Sequence, residues 1–113
     1  MEKVFKKIDS TAIKVSLVEK EKEVGRAFLY IIKNDLHVSP YGLMEDVFVD
    51  ESERGKGLGK ELVRLIVEEA QKYGCYKLIC TSRDSNEKVH ELYKKLGFVE
   101  HGKEFRQQLK NPD

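Results

Sequence analysis

The sequence is poor in cysteine and proline, carries no excess of charge of either sign, and has no long apolar run. Its two cysteines, Cys75 and Cys80, lie in an apolar stretch with no histidine or cysteine partner at metal-ligand spacing, so neither a disulfide framework nor a zinc motif is expected. They read as reduced core thiols, and no metal is expected. Proline is confined to Pro40 and Pro112, and no internal repeat or low-complexity tract appears. Lysine and arginine together number 21 against 20 acidic residues, a net charge of +1. That balance lacks the basic face of a general nucleic-acid binder and the polybasic patch of a membrane-surface protein. The longest apolar run, residues 27–32, is far too short to span a bilayer. The N-terminal M-E-K-V-F-K-K-I-D has no signal-like apolar region. The expectation is a cytoplasmic protein with neither nucleic acid nor membrane as partner.

What is present fits one domain over residues 1–113, with 40% hydrophobic and 36% charged residues. Residues 3–9 and 12–19 alternate apolar and polar side chains, and residues 24–32 resume the alternation with Phe28, Tyr30 and Ile32 on one side. The charged run E-K-E-K-E between them predicts a solvated hairpin turn. Residues 43–49, L-M-E-D-V-F-V, read as a further strand. Leu58, Leu62, Leu65, Ile66, Ala70 and Tyr73 have helical spacing, with Gly74 as the stop. Residues 76–80 read as a short buried strand. A second helix begins near Asp84 or Ser85 as N-cap, carries Val89, Leu92, Tyr93 and Leu96 as its apolar stripe, and stops at Gly97. Residues 98–100 and 104–109 read as closing strands. This order predicts an α+β, or mixed α/β, sheet containing one parallel crossover.

The run E-R-G-K-G-L-G-K, residues 53–60, is the most informative. Its G-x-G-x-G spacing fits neither the dinucleotide fingerprint nor the Walker loop. It does sit between an apolar strand and an amphipathic helix, where successive glycines let backbone N–H groups converge on the helix N-terminus and its partial positive charge. Arg54, Lys56 and Lys60 add charge suited to a pyrophosphate.

With these residues the chain resembles the GNAT superfamily of N-acetyltransferases. Val47–Phe48–Val49 running into Arg54, Gly55, Lys56, Gly57, Leu58 and Gly59 matches the superfamily's R/Q-x-x-G-x-G/A loop. Asn86, Val89, Leu92 and Tyr93 match N-x-x-A-x-x-L-Y, followed by the G-F ending at Gly97 and Phe98. E-D-V-F-V, R-G-K-G-L-G-K and Y-G-C-Y-K-L-I are most similar to the glucosamine-6-phosphate N-acetyltransferase branch.

The resemblance implies an acyl-CoA N-acyltransferase fold, mostly antiparallel, with a splayed parallel strand pair and two main helices. It implies transfer of acetyl from acetyl-CoA to a primary amine by direct attack in a ternary complex. The acceptor would be a small amine or aminosugar, or a protein amine. A non-catalytic acetyl-CoA-binding module is the alternative. It assigns cofactor contacts to Val47, Phe48, Val49, Arg54, Gly55, Lys56, Gly57, Leu58, Gly59, Lys60, Asn86 and Tyr93. Phe48 or Val49 N–H would donate to the oxyanion, and Tyr93 would protonate the departing thiolate. By periodicity alone Tyr93 is a core residue and Asn86 an ordinary cap. For the general base, Glu45 and Asp46 point to opposite faces of one strand, and Glu45 is preferred over a substrate-binding or structural role. His37, His90 and His101 have no motif support. Superfamily members carry two helices between their first two strands, where this chain reads as strand almost without a break from Val4 to Ile32. A homodimer partner, or the loop of residues 34–42, is expected to complete the amine site.

Overall fold

The computed structural model describes residues 1–112. Four strands form one sheet in the order β1 (Thr11–Glu19), β2 (Lys22–Ile32), β3 (Tyr41–Val49), β4 (Leu78–Ile79). Two helices, α1 (Leu58–Lys72) and α2 (Glu87–Lys95), complete the regular elements beside a short 3₁₀ turn at Glu51–Glu53. The chain divides into two compact units, Met1–Cys80 and the residues from Thr81 on.

In the first unit β1, β2 and β3 are antiparallel neighbours, while β4 runs parallel to β3 after the α1 crossover. The β1–β2 turn consists of Lys20 and Glu21 alone, both at positive φ (52° and 65°). That double left-handed geometry matches the strand twist of a two-residue hairpin. The core lies between α1 and one sheet face. Ala27, Leu29 and Ile31 of β2, Met44 of β3, and Leu62, Val63, Ile66 and Ala70 of α1 are buried. Burying one such Leu or Ile side chain contributes about 1.5–3 kcal/mol. The alternation in β2 is as expected, but Ala27, Leu29 and Ile31 fill the core while Phe28, Tyr30 and Ile32 on the other face stay half-buried.

Three expected strands are absent. Residues 3–9, 98–100 and 104–109 have no regular structure, and Val4, Phe5, Val99, Phe105 and Leu109 are exposed. Alternation offers a strand a face; only a neighbouring backbone supplies its hydrogen bonds, and no ladder pairs these segments. The N-terminal segment is tied to the loop after β2 by a Lys6–Asp35 ion pair of 2.8 Å. The strand expected at 76–80 shrinks to two residues, with Ile79 40% exposed rather than buried.

Both helices end as their glycines predicted. Cys75 N–H donates to Ala70 O at 3.0 Å and Gly74 N–H to Gln71 O at 3.0 Å. At α2, Phe98 N–H donates to Tyr93 O at 2.9 Å and Gly97 N–H to Lys94 O at 3.1 Å. These are paired 6→1 and 5→2 bonds around a left-handed glycine. Among the described residues no helix is long and apolar enough to cross a membrane.

Candidate functional site

The site in the first unit begins where β3 leaves its parallel neighbour. The β3–β4 ladder holds only Gly42↔Leu78 and Leu43↔Ile79, so the two strands part and β3 continues to Val49 without a β4 partner. On its other side, Arg26 pairs with Phe48 and Phe28 with Glu45, which leaves Asp46 and Val47 opposite the single residue Ala27. This is a β-bulge, and Asp46 occupies it at φ +51°.

The bulge sets the facing of this strand. Simple alternation separates Glu45 from Asp46 and would send Glu45 and Phe48 to opposite faces. One extra residue restores them to the same face, beside Arg26 and Phe28 and away from α1. Glu45 is half-buried there, while Asp46 is exposed. Phe48 is 41% exposed, and the guanidinium carbons of Arg26 and Arg54 lie 4.8 Å and 5.8 Å from its ring centroid. Cys80, just past β4, is held protonated to about 11 by burial and by the Glu45 charge. Burial also raises the Cys75 thiol. Both are free, half-buried thiols rather than core residues.

The turn after β3 is built by sequence chemistry. Arg54 Nε donates to Val49 O at 3.2 Å, drawing the turn back onto the strand it follows. Gly55 and Gly57 take φ of 85° and 81°, a left-handed backbone that a side chain resists, and a Cβ at either would meet nothing within 4 Å. These glycines are therefore demanded by conformation, and they leave the space beside the backbone open. Gly57 is the N-cap of α1 and offers no side-chain hydrogen bond. The first amides of a 15-residue helix thus lack a side-chain cap, at the end where its dipole is positive. Lys60 is exposed beside them. Lys56 is engaged by Glu53 at 2.7 Å, an ion pair that raises the Lys56 pKa and offsets part of its charge.

In the second unit the helix start is of the opposite kind. Asn86 Oδ1 accepts from Val89 N–H at 3.4 Å, so the cap is Asn86 rather than Asp84 or Ser85. Tyr93 is half-buried, with its ring 5.4 Å from that of Phe98. This ring pair is the apolar contact that accompanies the glycine-terminated helix end, which gives the spacing of Tyr93, Gly97 and Phe98 a structural reason of its own.

The structure thus brings together Glu45, Val47, Phe48, Val49, Arg54 and residues 55–60 in one unit, and Asn86 with Tyr93 in the other. Sequence reasoning missed Arg26, and it read Cys80 as a core thiol rather than a neighbour of Glu45. Neither carries a motif, and only the cross-strand register and the parting of β3 from β4 reveal them. No group of three metal-ligating side chains occurs among the described residues.

A strand that parts from its parallel neighbour runs here through a bulge into left-handed glycines and a helix start with no side-chain cap, a geometry that suits an anion. The Acetyltransferase (GNAT) family profile matches residues 4–98. The chain belongs to the GNAT family of acetyltransferases. It is 47% identical over 68 residues to a glucosamine 6-phosphate N-acetyltransferase of Trypanosoma brucei brucei, a match covering 60% of this chain and 44% of the relative. The chain therefore spans less than half of that relative's length. Among solved structures, a putative acetyltransferase from Agrobacterium tumefaciens superposes with a TM-score of 0.80 at 31% identity, covering 86% of this chain and 68% of that one. An acetyltransferase of Trypanosoma brucei gives 0.77 at 35% identity, covering 87% and 69%.

Proposed function

We propose that the chain binds acetyl-CoA along the free edge of β3 and at the start of α1, and transfers the acetyl group to a primary amine. The observation that carries this reading is the α1 start. Two left-handed glycines with open space beside them lead into helix amides that no side chain caps, which suits the CoA pyrophosphate. Arg54, Lys56 and Lys60 supply surrounding charge, and Leu58 and Gly59 place the first turn. Val47, Phe48 and Val49 contact the pantetheine arm through backbone, so apolar side chains suffice there.

Each chemical requirement then has a residue. An amine with pKa near ~10 is protonated at neutral pH; Glu45 accepts that proton, directly or through a water. The Phe48 or Val49 N–H donates to the carbonyl oxygen as it gathers negative charge during attack. Tyr93 gives its phenolic proton to the thiolate as the C–S bond breaks, the second proton shed by the amide-forming nitrogen restores the phenol, and Asn86 bonds the CoA arm. The products are an amide and free CoA thiol, formed without a covalent enzyme intermediate. The two cysteines are held protonated, which suits neither to an acyl-carrier role. The acceptor is a small amine or an aminosugar, for which similarity to the Trypanosoma brucei brucei relative is the support, and after it a protein amine. A homodimer partner, or the loop of residues 34–42, completes the acceptor side.

The test is a thiol-release assay over amines, amino sugars and peptides, paired with acetyl-CoA calorimetry. Tyr93→Phe is expected to slow release by about 10²-fold or more, the range of general acid catalysis, with acetyl-CoA affinity nearly unchanged. Binding without turnover of any amine would instead establish a non-catalytic module.

A further inference from the structure

The residue that no motif marks is Arg26. It stands on β2 directly across from Phe48, at the rung beside the bulge, with its guanidinium carbon 4.8 Å from the Phe48 ring centroid. It makes no ion pair among the described residues. The nearby acid, Glu23, is engaged by Lys14 at 2.8 Å and Ser16 at 2.7 Å, which leaves the guanidinium to the ring.

This matters because β3 has few other constraints here. Its ladder to β4 has ended at Leu43. Its ladder to β2 is interrupted by the bulge at Asp46 and Val47 and resumes only at Arg26↔Phe48 and Gly25↔Val49. A bulged strand end with one unpaired edge is held by backbone bonds on one side alone. Side chains add to that restraint, and two guanidinium groups reach the same exposed ring. Arg26 approaches from β2, and Arg54 from the turn, 5.8 Å from the centroid and also bonded to Val49 O. A planar, weakly hydrated guanidinium suits this stacking better than an ammonium.

We propose that Arg26 is a positioning residue. Through the Phe48 ring it holds the bulged end of β3 at the angle that aims its backbone N–H at the thioester carbonyl. This rests on the acetyl-CoA reading above, and it adds a residue that binds neither substrate.

The experiment uses the full chain with [1-13C]acetyl-CoA. Isothermal calorimetry gives the affinity, and the 13C shift of the bound carbonyl reports its polarisation. In the wild type the bound carbonyl is expected to differ in shift from free acetyl-CoA. Arg26→Leu is expected to return that shift about halfway or more to the free value, with affinity changed less than about 5-fold, the scale of one exposed cation–π contact. Arg26→Lys should recover much of the wild-type shift. Phe48→Leu, which removes the ring instead of the cation, should reproduce the Arg26→Leu signature and serves if that variant does not fold. A full wild-type shift in Arg26→Leu overturns the proposal. So does a loss of affinity beyond about 10-fold in Arg26→Leu, since each tenfold is about 1.4 kcal/mol, more than positioning through one such contact accounts for. A wild type that binds without any shift overturns the proposal alone, whereas one that does not bind acetyl-CoA overturns the reading beneath it as well.

Discussion

The two helices end alike and begin differently. Each closes with a left-handed glycine and the same pair of backbone bonds. At the start, α2 is capped by the Asn86 side chain, while α1 opens from Gly57 with no side-chain cap. A capped start satisfies the helix from within the chain. An uncapped start, preceded by open-sided glycines, leaves donors for a ligand. In the acetyl-CoA reading proposed above, the uncapped α1 start takes the pyrophosphate, while Asn86 both caps α2 and bonds the CoA arm. The interiors differ as well: Leu62, Val63, Ile66 and Ala70 of α1 are buried, while α2 has no fully buried residue.

The largest test of this contrast concerns those interiors. Leu62→Ala is expected to cost about 2–5 kcal/mol, the range for a fully buried leucine, whereas Leu92→Ala, half-buried, should cost less than about 2 kcal/mol. Chemical denaturation of both variants checks this, and equal losses would break the comparison.

Next come the starts themselves. Gly57→Ala forces a side chain into φ +81° and should cost about 1 kcal/mol of stability, with acetyl-CoA affinity falling further than stability does. Asn86→Ala should also cost about 1 kcal/mol through loss of its cap. Calorimetry beside thermal melts separates the two. If Gly57→Ala binds acetyl-CoA as tightly as the wild type, the uncapped start is not the anion site.

The smallest effect compares the thiols that follow α1 and β4. Only the thiolate alkylates, and Cys80 ionises near 11. Its iodoacetamide rate should therefore be low at pH 7 and rise about tenfold per pH unit toward that value. Because the Glu45 charge contributes to the shift, Glu45→Gln should lower the Cys80 pKa and speed its alkylation at pH 8, with Cys75 unaffected. Mass spectrometry of the labelled peptides resolves them.

Much of this molecule was legible in its residues, and for identifiable reasons. The 24–32 alternation, the apolar strand at 43–49, the 58–73 periodicity and both glycine stops are local patterns whose physical cause lies within a few residues. So is the glycine turn, because a positive φ is a property of single residues. Residues 3–9, 98–100 and 104–109 carry an equally local pattern and form no strands, since a ladder needs a partner that alternation cannot supply. That Glu45 shares a face with Phe48 was not legible for a related reason: a bulge depends on the partner strand's register, and nothing in E-D-V-F-V announces it.

By itself the sequence determined the family, the glycine turn and the stops of both helices, because these depend on near neighbours along the chain. Tertiary structure alone decided which face of β2 became core, where β3 parts from β4, and that Glu45 shares a face with Phe48. It also placed Arg26 over the Phe48 ring, from 22 positions away in the sequence. Such placements follow from pairing between distant segments, and a register shifted by one residue would reverse them.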